Sequence, residues 1–481
     1  MAVLPEAALF QCMHCGEALP DRSPNQLVCA RCGTTVAGYD GIIDFVGGTA
    51  TSELDNIDYD ERYGINEEHS LSLVQLLRTA TGPLWPKDFG NALEIGCGTG
   101  GLSLALMTHV SARHVVMTDI SPKMLRQCRA RLRAAGALRT GMTFATYSGT
   151  EDCFSPNAFD TCFGTAVVHH ITDVVLFLRH VHTLLKPGGC AFFMEPNQAF
   201  HQALTATLAD ILADFLRDQI LPETQISLML NWTGEVHCNI VNSGDLEVLA
   251  EREDKHQFVG STFEGWARSV GFAHACALPC DADPTGWETI RTYLDQCGIS
   301  AEAFAALARE WPAMQHRHFK GLAVRDQSPS YLFWLRKPLH PVALPNPPDT
   351  VAAATISPVS AQIALSLGLR RNDAELDISI AGWCLADMPV RSIQVSACGA
   401  VRRVPIWRPR PDVQQALNAG NVYPPLHALC SGIDDSVRIR PFDADANTIE
   451  VMVHVVPVDG PPLPVRVVSL TVGETVDISG S

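Results

Sequence analysis

The chain has 481 residues, too many for one ordinary domain. Apolar residues make up 47% of it and charged residues 18%, which predicts packed globular domains and excludes a disordered polyelectrolyte. The formal net charge of −17 disfavours nucleic acid and anionic membrane surfaces as partners, because like charges repel at long range. No signal peptide is visible at the N-terminus, and no apolar stretch approaches the roughly 20 residues of a membrane span. We therefore expect a cytoplasmic protein with reduced thiols and no membrane span, and predict no particular oligomeric state.

Four of the sixteen cysteines form two close pairs near the N-terminus. Cys12 and Cys15 make one CxxC pair, Cys29 and Cys32 make the other, and a glycine follows each pair. Two such knuckles complete a tetrahedral zinc site, because the second thiolate of each folds back beside the first. The spacing predicts a zinc ribbon over residues 1–48 with a closed, structural Zn²⁺ site. Redox-active or buried thiols are the alternative, and the other twelve cysteines are predicted to be buried free thiols.

Residues 85–195 alternate strands with helices. An apolar strand runs into the glycine-rich turn Gly96-Cys-Gly-Thr-Gly100, and a helical pattern follows. Glycines in such a turn let backbone amides approach a ligand at a helix N-terminus. A second strand ends at Asp119, where a carboxylate can accept hydrogen bonds from both hydroxyls of a ribose. Ser121 and Pro122 then predict the N-cap and first position of a helix.

Later segments continue this alternation. Strands are predicted over 142–147, 159–168 and 189–194, with a helix over 174–185. A helix over 263–270 and strands over 272–278 and 330–335 then complete seven strands. The pattern predicts an α/β fold with a doubly wound, seven-stranded sheet whose ligand lies at the carboxyl ends of the parallel strands.

Five ordered motifs resemble those of class I S-adenosylmethionine-dependent methyltransferases. They are Leu93-Glu-Ile-Gly-Cys-Gly-Thr-Gly100, Asp119-Ile-Ser-Pro-Lys-Met124, Ala158-Phe-Asp160, Val168-His-His170 and Leu185-Lys-Pro-Gly-Gly189. The resemblance implies a methyltransferase domain over residues 49–337 with S-adenosyl-L-methionine as cofactor. It also implies cofactor-binding residues: Glu94, Gly96, Gly98 and Gly100 for the methionine part, Asp119 for the ribose, Ile120 for adenine, and Ser148, Gly149, Thr150 and Thr165.

One feature departs from the family pattern, and two segments before the sheet resemble it. The family often has an Asp-Ala dipeptide after its third strand, whereas Ser148-Gly149 stands here, so a neighbouring carboxylate or backbone group is expected to contact the adenine amine. The cysteine segment resembles the ribbon that precedes many bacterial methyltransferase domains. Between ribbon and sheet, Tyr59 and Tyr63 stand where many relatives have a helix whose tyrosine reaches over the cofactor; ordinary packing is the alternative.

Methyl transfer to a hydroxyl, amine or carbon requires an oriented acceptor and a group that removes a proton. His170 and Glu195 follow neighbouring strands on the ligand edge, so we predict that they provide the general base or contact the acceptor. His169 is predicted to point outward or to be satisfied in the core. The segment 198–270 is predicted to be a lid. Within it, His237 and His256 are candidate acceptor contacts, with a surface position as the alternative.

The C-terminal part is predicted to be a separate domain. A proline-rich linker covers 338–362, and short β-branched runs separated by turn residues over 363–481 predict an antiparallel β-sandwich. That sandwich resembles domains appended to bacterial glycan-modifying enzymes. The resemblance implies that Trp383, Trp407 and Arg410 contact a sugar, with core packing of Trp383 as the alternative.

We therefore predict a methyltransferase that acts on a small molecule or glycan, with O- or C-methylation of a sugar favoured. An RNA methyltransferase is one alternative, and it requires a basic surface beside the pocket. A non-catalytic carbohydrate-binding or scaffold protein that retains the cofactor fold is another.

Overall fold

The fold is described by a computed structural model, which covers residues 8–19, 26–47, 60, 67–249, 252–340, 361–372, 375–386, 389–418, 423–440, 447–458 and 463–480. Two compact units are present. The first comprises Met1–Asn197, Phe258–Ala282 and Ser330–Asp349, and the second comprises Gln198–Gln257, Asp283–Pro329 and Thr350–Ser481. Tyr59, Tyr63 and most of the predicted linker lie outside the described residues.

The strands of the described residues are, in chain order, β1 (Gln26–Val28), β2 (Thr35–Tyr39), β3 (Ile42–Asp44), β4 (Asn91–Ile95), β5 (His114–Asp119), β6 (Met142–Thr146), β7 (Phe159–Thr165), β8 (Leu185–Pro196), β9 (His274–Cys280), β10 (Ser330–Arg336), β11 (Ala361–Asn372), β12 (Glu375–Ala386), β13 (Val390–Ala397), β14 (Ala400–Pro405), β15 (Gly432–Ile439), β16 (Thr448–Pro457), β17 (Leu463–Thr471) and β18 (Thr475–Gly480).

The α-helices of the same residues are α1 (Glu67–Thr81), α2 (Gly101–His109), α3 (Pro122–Ala134), α4 (Val174–Leu184), α5 (Gln198–Arg217), α6 (Glu223–Val241), α7 (Leu246–Leu249), α8 (Gly260–Ser269), α9 (Trp287–Gln296), α10 (Ala301–Phe319), α11 (Pro411–Leu417) and α12 (Pro425–Leu429). Among these described helices, none is both long enough and apolar enough to cross a membrane.

The first unit is built on one sheet with the strand order β1-β2-β3-β6-β5-β4-β7-β8-β10-β9. Its last seven positions match the predicted seven-stranded sheet, in which β10 alone runs antiparallel to its neighbours. The predicted strand count was nevertheless too low, because the sheet has ten strands. The three N-terminal strands extend it, since Ile42–Asp44 pairs in parallel with Phe144–Thr146 at the edge of β6.

Local sequence explains where the elements around the ligand edge begin and end. Every residue of β4 is buried, as expected for a central parallel strand covered on both faces. The Ser121 hydroxyl accepts a hydrogen bond from Met124 N at 3.2 Å, which confirms the predicted N-cap of α3. Asp173 caps α4 in the same way. Strand β8 begins at Leu185, four residues before the predicted start at residue 189.

The residues predicted as one lid segment divide between the two units. Residues 198–257 belong to the second unit, whereas α8 belongs to the first. The reason is aromatic packing: Phe263 stacks on Phe333 of β10 with ring centroids 3.7 Å apart. The expected surface positions of His237 and His256 are wrong, since these side chains are 7% and 8% exposed. Burial lowers the pKa of His237 to about 3, so its imidazole is neutral near pH 7.

The second unit combines helices with two antiparallel sheets. Its helical part includes α9 and α10, which were not predicted, and buries an apolar cluster that includes Leu212 and Trp311. The sheets have the orders β15-β12-β11-β18 and β14-β13-β16-β17. Leu365, Ile393 and Val453 from both sheets lie in one buried cluster, so the sheets pack face to face. This confirms the predicted C-terminal antiparallel sheets.

Gly382 of β12 is a position where a side chain is expected to destabilise the sandwich. Its φ is +143°, and an added Cβ would lie 2.1 Å from the carbonyl oxygen of Ala364. We expect Gly382→Ala to lower the free energy of unfolding of the second unit by about 3 kcal/mol or more, because strain and overlap with backbone act together. Gly321→Ala is the matched control, since an added Cβ there meets nothing within 4 Å. Equal denaturant-unfolding curves for the two variants would contradict the expectation.

Candidate active site

The predicted cofactor and catalytic residues lie near or just after the carboxyl ends of five neighbouring strands of the first unit. Strands β6, β5, β4, β7 and β8 are mutually parallel, so their carboxyl ends lie at one edge of the sheet. The residues that follow these strands therefore meet there, as the sequence predicts, and this edge is where open parallel sheets bind ligands.

The glycine-rich turn after β4 requires glycine at two positions, because the backbone has a positive φ there and a side chain would also overlap with neighbouring atoms. Gly96 and Gly100 have φ values of +70° and +87°. An added Cβ on Gly96 would lie 2.5 Å from the Cγ2 atom of Val167, and one on Gly100 would lie 2.6 Å from the Sγ atom of Cys128. Gly98 also has a positive φ, +51°. The turn thus presents backbone rather than side chains at the N-terminus of α2.

Asp119 joins the end of β5 to this turn. Its Oδ2 atom accepts a hydrogen bond from Gly98 N, and its Oδ1 atom accepts one from Ser121 N, both at 2.9 Å. The carboxylate is therefore held beside the glycine turn by backbone donors. The next side chain, Ile120, is 39% exposed, so an apolar surface lies beside the carboxylate. A carboxylate next to an apolar face fits a ribose and its attached base.

Glu94 lies beneath the turn and is almost completely buried, with 1% exposure. Its Oε2 atom accepts a hydrogen bond from the Ser103 hydroxyl at 2.6 Å. Burial raises the pKa of Glu94 to about 7, and the negative charge of Asp119 contributes in the same direction. The carboxyl is therefore poised to ionise near neutral pH, and an ammonium group bound beside it would favour the ionised form.

The pKa of Glu94 leads to a pH prediction if this residue holds the methionine part, as the resemblance implies. Because the methionine part carries an ammonium, we expect S-adenosylhomocysteine to bind more tightly as pH rises through about 7. In the free protein the folding stability changes with pH in the opposite direction. Because the pKa of Glu94 is raised in the folded state, the folded protein binds this proton more tightly than the unfolded chain, so stability falls as pH rises from about 4.5 towards 7.

Calorimetric titration between about pH 6 and about pH 8 checks this prediction. Glu94→Gln is expected to bind more weakly and to lose most of the pH dependence, because its amide does not ionise. An affinity of the parent protein that stays constant over that range would contradict the role of Glu94.

The loop after β6 contains the residues expected near adenine. The Glu151 carboxylate accepts hydrogen bonds from Ser148 N at 2.8 Å and from the Ser148 hydroxyl at 2.5 Å. Gly149 has a φ of +105°, and an added Cβ would lie 2.9 Å from the Cδ1 atom of Ile171. Thr150 lies between them and is half-buried. Glu151 is thus a carboxylate beside Ser148 and Gly149, and its contact with the adenine amine stays a prediction.

The end of β7 contains a tight, unusual turn. Thr165 is its last residue and pairs with Met194 of β8, and Ala166 follows with a φ of +52°. A left-handed alanine costs about 1 kcal/mol or more and often occurs at functional sites. A short 3₁₀-helix, Val168–His170, completes the turn.

Glu195 holds this turn from the neighbouring strand. Its Oε1 atom accepts hydrogen bonds from Val167 N at 3.0 Å and Val168 N at 2.7 Å. Its Oε2 atom accepts one from His169 N at 3.2 Å and lies 2.7 Å from His169 Nδ1. The side chain of Glu195 is fully buried. Since a carboxylate only accepts, Nδ1 carries the proton and Nε2 is the basic nitrogen of that ring.

The two adjacent histidines differ in burial and in the contacts that their side chains make. The side chain of His169 is 11% exposed and is satisfied by Glu195, in agreement with its predicted core-satisfied state. His170 is half-buried, and its ring centroid lies 4.0 Å from that of His169. The predicted pair of His170 and Glu195 is thus brought to the correct edge, but the carboxylate contacts His169. The parallel register of β7 and β8 determines this contact.

The four N-terminal cysteines converge. All four sulfur atoms lie within 4.8 Å of one another, with Cys12 and Cys32 at 3.6 Å and Cys15 at 3.5 Å from both Cys29 and Cys32. A tetrahedral site with Zn–S bonds of 2.3 Å separates its sulfurs by about 3.8 Å. Gly16 N and Gly33 N donate to Cys12 O and Cys29 O, as knuckles require. The donor set and its spacing therefore fit Zn²⁺.

The side chains predicted to contact a sugar in the second unit have protein partners. Guanidinium carbons of Arg408 and Arg252 lie 4.2 and 5.3 Å from the ring centroid of Trp407. Arg410 pairs with Asp412 at 2.6 Å, and Trp383 packs against a small buried cluster. These contacts favour the packing alternative for Trp383.

Comparison with known proteins agrees with the site. A family profile described as a methyltransferase domain matches residues 92–189. These residues contain the glycine turn, Asp119 and the β7 turn. The match and the parallel sheet both agree with the resemblance of these residues to class I S-adenosylmethionine-dependent methyltransferases.

Individual relatives match parts of the chain. The highly reducing polyketide synthase PKS6 of Gibberella zeae is 30% identical over 113 residues, which are 22% of this chain and 4% of that protein. The ubiquinone/menaquinone biosynthesis C-methyltransferase UbiE of Idiomarina loihiensis is 30% identical over 165 residues, 34% of this chain and 59% of that protein. A structure of Haemonchus contortus phosphoethanolamine N-methyltransferase 2 with S-adenosyl-L-methionine aligns at a TM-score of 0.35 and 17% identity, over 58% of this chain and 56% of that one. The chain thus spans less than two thirds of each of these proteins.

Proposed function

We propose that this protein is an S-adenosylmethionine-dependent methyltransferase that methylates a small, uncharged or weakly charged acceptor. The observation that carries the proposal is the buried Glu195–His169 pair, which lies at the same sheet edge as the glycine turn and Asp119. S-adenosylmethionine supplies an electrophilic methyl group when it is bound. The protein must then orient the acceptor and remove its proton.

His169 is the proposed general base. Glu195 fixes the tautomer through Nδ1 and stabilises the imidazolium that forms when Nε2 takes a proton, as carboxylate–histidine pairs do elsewhere. Glu195 is then a positioning residue, because its oxygens contact the turn and the imidazole. His170, the base predicted from sequence, is the competing candidate, since its ring lies beside that of His169.

A sugar hydroxyl or carbon is the proposed acceptor class. The acidity of the chain disfavours a polyanionic acceptor, and the resemblance of the C-terminal sandwich to domains of glycan-modifying enzymes favours a sugar. The name of the UbiE relative mentions C-methylation, so an activated carbon acid is the second acceptor to test. Both acceptors need a base, which the Glu195–His169 pair supplies.

The test has two stages. Calorimetry first measures binding of S-adenosylhomocysteine to the full chain, and mass spectrometry then follows addition of one methyl group to free sugars, sugar nucleotides and quinol precursors. We expect binding and methylation of a sugar acceptor. Binding without turnover of any acceptor would favour the scaffold alternative, and absence of binding would overturn the proposal.

A further inference from the structure

The N-terminal ribbon contacts the residue that immediately precedes the predicted adenine loop, residues 147–152. Strand β3 pairs in parallel with β6, the strand that leads into this loop. At the end of β6 the Thr146 hydroxyl accepts hydrogen bonds from Phe45 N at 2.9 Å and Val46 N at 3.1 Å, and donates one to Asp44 Oδ1 at 2.7 Å. One buried hydroxyl thus joins the ribbon to the residue just before the loop.

The ribbon also contacts the residues that follow the loop. Gln11 N donates to Cys153 O at 2.9 Å, and Ser155 N donates to Leu9 O at 3.0 Å. The side chain of Gln11 adds a hydrogen bond to Asp152 O at 3.2 Å. The ring of Phe10 packs against those of Phe45 and Phe154, with centroid distances of 5.6 and 5.4 Å. The two ends of the adenine loop are therefore both held by ribbon residues.

The cysteine cluster is connected along the chain and through the sheet to the residues that make these contacts. Gln11 immediately precedes Cys12, whose N and O atoms are bonded within the first knuckle to Glu17 O and Gly16 N. Cys29 follows β1, which pairs through β2 to β3. Small ribbons bury too little apolar surface to fold alone, so ligation is expected to supply much of their folding free energy.

We propose that Zn²⁺ bound by Cys12, Cys15, Cys29 and Cys32 positions the adenine loop, so that metal occupancy of the ribbon controls cofactor affinity. This inference rests on the proposed function, because it assigns residues 148–150 to the cofactor. The ribbon is then a positioning element of the cofactor site. Because coupling between two sites is reciprocal, bound cofactor product must also strengthen metal retention.

Metal removal is the first test. The full chain is depleted of zinc with a chelator, and S-adenosylhomocysteine binding is measured by calorimetry before depletion, after depletion and after Zn²⁺ is restored. We expect depletion to weaken binding by about 5- to 150-fold, the usual range of coupling between sites, and restoration to reverse the loss. Conversely, saturating S-adenosylhomocysteine should raise the zinc affinity, measured with a competing chelator, by the same factor.

Thr146→Val tests the coupling with the metal in place. Valine keeps the shape of the side chain but removes the three hydrogen bonds to the ribbon. We expect zinc content to equal that of the parent and S-adenosylhomocysteine binding to weaken by about fivefold or more. Thr143→Val, on the same strand but with no side-chain hydrogen bond to β3 among the described residues, is the matched control and should bind as the parent does.

The outcomes separate the two proposals. If the zinc-loaded parent does not bind S-adenosylhomocysteine, the proposed function fails and this inference fails with it. If the parent binds equally well with and without zinc, and Thr146→Val binds like Thr143→Val, the proposed function stands and the coupling is overturned. Far-UV circular dichroism of each sample establishes that a loss of binding is not a loss of the sheet.

Discussion

Asp119→Ala is expected to weaken S-adenosylmethionine binding by about 100-fold or more. Two charge-assisted hydrogen bonds to ribose hydroxyls are each worth roughly 1.5–3 kcal/mol, and tenfold in affinity corresponds to about 1.4 kcal/mol. The substitution also removes the acceptor for Gly98 N and Ser121 N, so the glycine turn loses its link to β5. Calorimetric titration of the variant with S-adenosylhomocysteine measures the loss.

The control for this variant removes one negative charge elsewhere. Glu302→Ala changes an exposed carboxylate in the first turn of α10, so it matches the change in net charge at a residue that is not predicted to bind the cofactor. We expect its affinity to equal that of the parent. An Asp119→Ala protein that binds as tightly as Glu302→Ala would remove Asp119 from the cofactor site.

His169→Ala is expected to lower kcat by about 10²- to 10⁴-fold, the usual contribution of a general base, with little change in S-adenosylhomocysteine affinity. Glu195→Gln should lower kcat as well, because its amide nitrogen cannot accept from His169 Nδ1. It should also reduce stability by about 2 kcal/mol or more, since the amide nitrogen cannot accept from His169 N either and this backbone donor loses its acceptor.

His170→Ala is the matched variant for the base assignment, because it removes the adjacent imidazole and leaves the Glu195 contacts in place. Steady-state kinetics with the acceptor found for the parent, together with calorimetry, separate loss of kcat from loss of binding. A near-parental kcat for His169→Ala with a large loss for His170→Ala would transfer the role of base to His170.

The predictions for the glycine turn and Asp119 were accessible from sequence because they depend on short-range structure. Gly96, Gly98 and Gly100 have positive φ values that favour glycine, and the end of a strand places Asp119 at the ligand edge without knowledge of other contacts. The choice between His169 and His170 was not accessible in the same way. Glu195 reaches His169 only because Thr165 pairs with Met194 in the parallel register of β7 and β8.

The helices outside the sheet were predicted least well for a related reason. Helix α10 has a clear N-cap, since the Ser300 hydroxyl accepts from Ala303 N, and that signal was present in the sequence. However, the division of residues 198–270 between the two units depends on which apolar faces pack together. Phe263 packs against Phe333 of β10. A hydrophobic pattern indicates only that a face is buried and does not identify the element that packs against it.

The sequence by itself determined the order of elements around the ligand edge, the cysteine pairs and the antiparallel character of the C-terminal part, because each follows from local spacing. The tertiary structure alone decided that the ribbon is part of the methyltransferase sheet. Ile42–Asp44 joins Phe144–Thr146 through backbone hydrogen bonds, which any residue except proline can make. Such pairing leaves little trace in the side-chain pattern, so the connection between the cysteine ribbon and the loop after β6 became visible only in the folded chain.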